Sequence, residues 1–287
     1  MTTEVDYDPE AFRQFEHDGW TEVAANYHRS FGQLTRQSVT ALLDAAEVRQ
    51  GDTLLDLACG TGLNAEGALA RGANVTGLDL TQAMVDEASR RCPNAVFQVG
   101  DAEAMPFQDS SFDVVVCGFG ILHFPLPEKA AGEIHRVLKP GGRFGCSVWS
   151  PAERSPFLQL VQAAIAAHGS TTVDLPAGPP AYQFGDPARL TGLLEGAGFD
   201  AVRCQDAPIH VVVENESQVF EALMEGGVRS RKLIEAQSAT AQKRIEQHAV
   251  AAAAASRHRY THKNLRVAVV AEAIVELGDI ALAQRRT

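Results

Sequence analysis

The residues of this chain that can do chemistry are two glycines in a tight turn and three carboxylates spaced around it. The stretch LLDLACGTGLNAEG (54–67) holds G-x-G-x-x-A at Gly60, Gly62 and Ala65, with Asp56 in the apolar run just ahead. Glycines at these positions let the backbone turn sharply after a strand and approach a ligand with no Cβ in the way. The start of the following helix then offers free amides to an anionic or polar group. Asp79 lies in GLDL, 19 residues after Gly60, where an acid accepts hydrogen bonds from both hydroxyls of a ribose. Asp101 lies in VGDA, where its carboxylate can accept from an adenine amino group while the Ala102 amide donates to the ring. The glycines and Asp79 suit a nicotinamide dinucleotide as well as any other nucleoside. Asp56, Asp79 and Asp101 together suit a ligand carrying ammonium and sulfonium charge, and they suit a pyrophosphate badly.

The elements that must hold these residues are legible as alternating strands and helices. Short apolar runs at 52–58, 74–80, 95–102, 111–119 and 141–149 are rich in β-branched residues and nearly continuous in hydrophobicity, as parallel strands buried on both faces are. Between them, Thr81 is the expected N-cap of the helix TQAMVDEASRRC, with Ala83, Met84 and Ala88 towards the sheet. The helix PEKAAGEIHRVLK starts at Pro127 and is expected to stop before Pro140-Gly141-Gly142. The alternation predicts an α/β fold with a doubly wound, mostly parallel sheet, whose ligands sit at the carboxyl ends of the strands.

One or two helices are expected over residues 10–50, where Trp20, Val23, Ala24, Tyr27 and Phe31 recur at helical spacing. Asp186 and Pro187 start a helix that ends near Gly196, followed by a strand around Asp200–Val213. Asn215 and Gln218 suggest a capping box before a helical stretch over roughly 216–257. The run RVAVVAEAIVELG (266–278) is read as the closing strand. The organisation expected is a single domain over 1–287. It comprises an N-terminal helical cap (1–50), a cofactor-binding core (51–150) and a helical insertion or lid (216–265) over the active edge of the sheet.

Composition narrows the partners. A net charge of −11 disfavours a nucleic-acid backbone as partner. From Val228 onward 11 Lys/Arg face 5 Asp/Glu, a local excess that reads either as a solvated helix face or as a patch for an acidic substrate group. The five cysteines (Cys59, Cys92, Cys117, Cys146 and Cys204) are scattered and never in C-x-x-C spacing, which disfavours both a disulfide framework and a zinc site. No metal is expected. The acidic start MTTEVDYDPEAFRQFE is unlike a signal peptide, and no run of about 18 apolar residues suggests a membrane span. A cytoplasmic protein is the expectation; oligomeric state is not legible.

Taken in order and spacing, LDLACGTG, GLDLT, GDAEAMPF, FDVVVCGFGILHF and EIHRVLKPGGRF resemble class I S-adenosylmethionine-dependent methyltransferases. The resemblance is to the small-molecule branch that includes quinone-biosynthesis C-methyltransferases and many natural-product enzymes. It covers about 20–150 well and 185–205 loosely, and it does not extend to 216–265. It implies a seven-stranded Rossmann-like sheet, S-adenosyl-L-methionine as cofactor, and a small, partly apolar metabolite as acceptor. Carried over by position, it implies that Asp56, Ala58, Gly60, Gly62 and Asn64 line the methionine portion. Asp79 holds the ribose, Leu80 and Met84 lie against the adenine, and Asp101 and Ala102 read its edge. The Cys117 backbone accepts from the cofactor's amino group, and Tyr27 closes over the carboxylate end. His123 resembles the base of phosphobase methyltransferases, which follows a similar I-L-H run; a plain histidine at a loop edge is the competing reading. A base is needed only if the acceptor must lose a proton. Acceptor contacts are sought among Trp20, Phe31, Tyr182, Phe184, Phe220, Leu223, Met224 and Tyr260, with Arg229, Arg231 and Lys232 for an acidic group. Two other functions stay open: a cyclisation on the same fold and cofactor, and an NAD-dependent dehydrogenase.

Overall fold

The computed structural model describes residues 7–154, 156–205, 207–209, 215–255, 275–277 and 281–285. In chain order the elements are α1 (Pro9–Tyr27), α2 (Gly32–Thr35), α3 (Val39–Ala45), β1 (Thr53–Leu57), α4 (Leu63–Ala70), β2 (Asn74–Asp79), α5 (Gln82–Arg91), β3 (Val96–Val99) and β4 (Phe112–Gly118). They continue as α6 (Pro127–Val137), β5 (Leu138–Ser147), α7 (Pro156–His168), α8 (Pro187–Gly196), β6 (Phe199–Arg203), β7 (Ala207–Ile209), α9 (Ser217–Gly226), α10 (Val228–Glu235), α11 (Ala239–Ala255), β8 (Val275–Leu277) and β9 (Ala281–Arg285).

Seven strands form one sheet in the order β3-β2-β1-β4-β5-β9-β6. β1 to β5 pair in parallel, and β9 runs antiparallel between β5 and β6. The order reverses beside β1, so β1 and β4 flank the crevice where an open α/β sheet binds its ligand. The expected doubly wound, mostly parallel fold is the one observed.

Alternation along the central strands explains their nearly continuous hydrophobicity. Leu55, Leu57, Val115 and Cys117 point to one face, where they pack with Ile134 of α6, Leu190 of α8 and Phe144. Leu54, Val114 and Val116 point to the other, against Leu42 and Leu43 of α3 and Ala65 and Ala68 of α4. β3 departs from this pattern. It is an edge strand, and Val96 is 66% exposed, so the run at 95–102 is not buried on both faces.

Local signals placed several ends well. Thr81 Oγ1 accepts from Met84 N, and Asp186 Oδ1 from Ala188 N, as N-caps do. Asn215 Oδ1 accepts from both Ser217 N and Gln218 N at the start of α9. Others moved. α6 stops at Val137, and Leu138–Gly142 already belongs to β5, where the pairing with β4 shifts register between Phe112 and Val114. Ala83 packs against α1 rather than the sheet, while Val85 takes the buried place. The closing strand is β9, beyond the run at 266–278. Of that run Val275–Leu277 is β8, which pairs with β7 in a separate ribbon, and 266–274 and residue 278 lie outside the described residues.

A further apolar cluster gathers at the carboxyl end of the strands. There α7, α9, α10 and α11 pack through Val161, Leu223, Ile234 and Ile245 behind Phe31, Phe119 and Trp149. α1 lies along α5 through Val23, Ala24 and Met84. Among the described residues no helix is long and apolar enough to cross a membrane.

Candidate functional site

The turn after β1 is held by the acid of β2. Gly60 N donates to Asp79 Oδ2 at 2.8 Å, while Thr81 N donates to Asp79 Oδ1 at 3.1 Å. One carboxylate therefore ties the glycine turn to the start of α5. The turn requires left-handed backbone, with φ of 51° at Ala58, 51° at Gly60 and 83° at Gly62. A Cβ on Gly60 would meet nothing within 4 Å, whereas one on Gly62 would meet Ala88 at 3.3 Å. Gly60 thus faces open space and Gly62 faces α5.

Asp56 stands behind the turn, fully enclosed, and accepts from Asn64 Nδ2 at 3.2 Å and Ala65 N at 3.0 Å. Burial pushes its carboxyl up to about 7 against those two bonds, and the neighbouring Asp79 adds to the rise. Burial raises Asp79 as well, opposed by the amides of Thr81 and Gly60. Two buried carboxylates thus lie close enough for the charge of one to raise the other.

A cavity opens over this turn, with about 1160 Å³ of atom-free space including its mouth. Of the residues expected at the site, Ala58, Gly60, Asn64, Asp79, Leu80 and Met84 line it. Asp101, Ala102, Tyr27 and His123 line it too. Three do not. Asp56 supports the turn from behind. Gly62 caps α4 against Ala88 and Cys92. Cys117 is buried within β4 opposite Cys146, and the wall passes through Gly118 and Phe119 instead.

The far end of the cavity is aromatic. Phe119, at φ 57°, stacks on Trp149 with centroids 4.4 Å apart, and Phe31 meets Trp149 edge-on at 5.7 Å. Trp20 meets Tyr27 at 5.7 Å and His123 at 5.0 Å, both edge-on. The Tyr27 hydroxyl contacts Thr35 Oγ1 at 3.2 Å, and burial pushes it up to about 12. Positive φ at an aromatic residue is costly, and such strain gathers at functional sites.

Several wall residues had escaped the sequence reading. Glu16 of α1 is 3% exposed, and its Oε2 lies 2.8 Å from Trp20 Nε1 and 3.0 Å from His123 Nδ1. Arg13, one turn earlier, bonds the buried Glu103, and its Nε lies 2.9 Å from Asp101 Oδ2 without the alignment of a hydrogen bond. The signal for Glu16 was present: Phe12, Glu16, Gly19 and Val23 share one buried helical stripe, and an acid within such a stripe needs a partner.

The residues sought as acceptor contacts divide between the cavity wall and the core. Among the described residues none from 215–255 lines the cavity, while Trp20 and Phe31 do. Leu223, Tyr182, Phe220 and Met224 belong to the cluster behind the aromatic wall, and Phe184 to the sheet core. Arg229 donates to Pro176 O, and Arg231 and Lys232 pair with Glu22 and Glu235, so these cations are already satisfied. Tyr260 falls outside the described residues.

These residues fit an adenosyl sulfonium. Gly60 leaves the space a Cβ would fill, and the buried Thr61 Oγ1 on the wall has no partner. The enclosed acids favour a ligand that brings positive charge. Together the sheet order, the glycine turn and the acids define an α/β enzyme that binds a nucleoside at its switch point.

The comparisons agree. A family model described as a methyltransferase domain matches residues 55–146. The demethylmenaquinone methyltransferase of Paenarthrobacter aurescens is 35% identical over 201 residues, covering 66% of this chain and 78% of that protein. That of Renibacterium salmoninarum is 39% identical over 128 residues, covering 45% of this chain and 54% of the relative. A chain of the Haloferax volcanii complex between the Trm112 methyltransferase activator and a methyltransferase superposes with a TM-score of 0.59 at 20% identity. The match covers 93% of this chain and 98% of that one, and it shows the shared fold. This chain belongs to the class I S-adenosylmethionine-dependent methyltransferases.

Proposed function

We propose that the protein transfers a methyl group to a carbon of a small planar ring bearing a conjugated hydroxyl, a naphthoquinol; its relatives are named for demethylmenaquinone. The observation that carries this reading is the division of one cavity into two chemistries. One part of its lining is the glycine turn with Asp79 and Asp101; another is a set of packed aromatic rings with one imidazole, His123. Flat aromatic walls suit a flat acceptor, since offset and edge-on ring pairs each add about 0.5–1.5 kcal/mol beyond area burial.

S-adenosylmethionine supplies, when bound, an electrophilic methyl carbon on a sulfonium. Asp79 holds the ribose hydroxyls, Asp101 and the Ala102 amide read the adenine edge, and Leu80 and Met84 flank the ring. Gly60 lets the backbone pass close to the methionine portion, and Asp56 keeps the turn in shape through its bonds to Asn64 and Ala65. Tyr27 closes the cavity near the aromatic end.

His123 takes the proton of the acceptor hydroxyl. With the methyl donor in place, the electron pair left on oxygen, delocalised onto the ring carbon beside it, would form the new carbon–carbon bond while the carbon–sulfur pair would leave with sulfur. The proton on that ring carbon then passes to oxygen, restoring the aromatic ring, and the net proton stays on His123 until it is lost to solvent. Positive charge disperses in this displacement, so the protein's main contribution is to align the reactants and keep water out. Alignment alone supplies about 7–11 kcal/mol. α1 forms the cover over the cavity, and the helices of 217–255 buttress its aromatic wall from behind. A helical cap within 1–50 and a supporting helical insertion over 216–255 on one domain follow from this reading; 256–265, the rest of the expected insertion, lie outside the described residues.

The test is incubation with methyl-labelled S-adenosylmethionine and a prenylated naphthoquinol, kept reduced. Label on a ring carbon of the product supports the reading. Transfer to a nitrogen acceptor instead, or product without label, overturns it.

A further inference from the structure

Glu16 and His123 stand 107 positions apart in sequence and meet at the aromatic end of the cavity. His123 ends a single 3₁₀ turn, Ile121–His123, directly after β4, and its backbone N donates to Gly120 O at 2.8 Å. That turn fixes the Cα, leaving the ring to be oriented by its neighbours. Two do so. Trp20 meets the ring edge-on at an interplanar angle of 89°, and Glu16 Oε2 lies 3.0 Å from Nδ1.

The donor inventory then constrains the proton. An indole N–H only donates, so Glu16 Oε2 accepts from Trp20 Nε1. The contact with His123 Nδ1 is an ion-pair distance without the alignment of a hydrogen bond; since a carboxylate only accepts, an oxygen 3.0 Å away still favours the neutral imidazole that carries its proton on Nδ1 over the one with a lone pair there. Nε2 is then the nitrogen with the free lone pair. When that nitrogen takes a proton, Nδ1 keeps its own, still beside Glu16 Oε2. Glu16 is itself buried, and without these two donors its carboxylate would lack a partner on that oxygen, which makes the constellation mutually dependent.

We propose that Glu16 is the positioning residue of a Glu16–His123 dyad. It holds His123 as the Nδ1–H tautomer, so that Nε2 removes the acceptor's proton, and it completes this base only when α1 is seated over the cavity. The step balances: the acceptor's O–H bond breaks, its electron pair remains on oxygen, Nε2 gains the proton, and Glu16 stays ionised as the counter-charge. Glu16 arrives on the same helix as Trp20 and as Arg13, which bonds Glu103, and all three of these α1 residues line the cavity. The proposal rests on the reading of His123 as the base.

The experiment combines a spectrum with kinetics. Long-range proton–nitrogen correlation on histidine-labelled protein, at a pH where the ring is neutral, should show His123 protonated at Nδ1. Glu16→Gln, near-isosteric but able to donate, should shift the ring towards the Nε2–H form. It should also lower kcat for methyl transfer to a prenylated naphthoquinol by about 100-fold, the low end for a lost general base. KM and the affinity for S-adenosylhomocysteine should stay within about threefold of wild type. Trp20→Phe, which removes the second donor but not the carboxylate, should leave the Nδ1–H form in place. A wild-type ring protonated at Nε2 overturns the proposal without recourse to any variant. An active Glu16→Gln enzyme beside an inactive His123→Gln enzyme overturns the role of Glu16 alone. A fully active His123→Gln enzyme overturns the base reading beneath it.

Discussion

Gly60 and Gly62 form a matched pair two residues apart, and alanine at each should fail in a different way. Both have left-handed backbone, so alanine at either costs about 1–2 kcal/mol of folding stability. At Gly62 the new methyl also meets Ala88 Cβ at 3.3 Å and Cys92 Sγ at 3.5 Å, which adds to the cost. At Gly60 the methyl meets no protein atom within 4 Å and projects from the cavity wall. Gly60→Ala should therefore lower Tm by only a few degrees, at about 2–4 °C per kcal/mol for a chain of this size. Its methyl group would take the space where the methionine portion passes, so affinity for S-adenosylhomocysteine should fall at least about 100-fold, or roughly 2.7 kcal/mol. Gly62→Ala should lose as much stability or more, yet bind within about threefold of wild type at temperatures well below its Tm. Calorimetric titration with S-adenosylhomocysteine, beside thermal melts of both variants, reads the two effects separately. Wild-type affinity in Gly60→Ala would refute the placement of the ligand against this turn.

Asp56 predicts an unusual pH profile for the ligand-free protein. Its folded-state value of about 7 lies above the ordinary carboxylate value, so the folded state binds the extra proton between about pH 4 and 7. Stability from this group is full below about pH 4 and is lost as pH rises through 7, by at most about 4 kcal/mol. Asp56→Asn should flatten that slope in urea denaturation at pH 5 and pH 8, and an unchanged slope would count against it. Lys232→Ala breaks an exposed pair with Glu22 worth less than about 1 kcal/mol. It should leave methyl transfer within twofold, and a large fall in kcat/KM would return this cation to the acceptor site.

What the sequence disclosed was local, and what it hid depended on contacts between distant segments. The glycine turn and the acids at the ends of β2 and β3 are separated by single strand–helix units, so spacing alone places them around one crevice. Thr81 and Asp186 were legible as caps because a cap bonds within three residues. Glu16 reaches His123, and Arg13 reaches Glu103, only when α1 folds across the sheet, so spacing along the chain does not reveal these pairs. The basic stretch around Arg229 to Lys232 was open to a functional reading because its partners, Glu22 and the Pro176 carbonyl, lie some 50 to 210 positions away. β9 was missed because Ala281–Arg285 is short and rich in alanine and charge, a weak strand pattern. Its place comes from being paired on both sides, with β5 and with β6. The run at 266–278 carries the stronger β signal, yet of it only Val275–Leu277 is described as strand, paired with β7.

The central claim is that one cavity under α1 holds the methyl donor at the glycine turn and the acceptor against the aromatic wall. A crystal structure with S-adenosylhomocysteine bound tests it most directly. Adenosine should lie between Asp79 and Asp101 and the homocysteine chain along Gly60 and Thr61, with the sulfur directed towards His123 and free space before Phe119 and Trp149. A sulfur turned away from His123, or aromatic rings that close that space entirely, would contradict it.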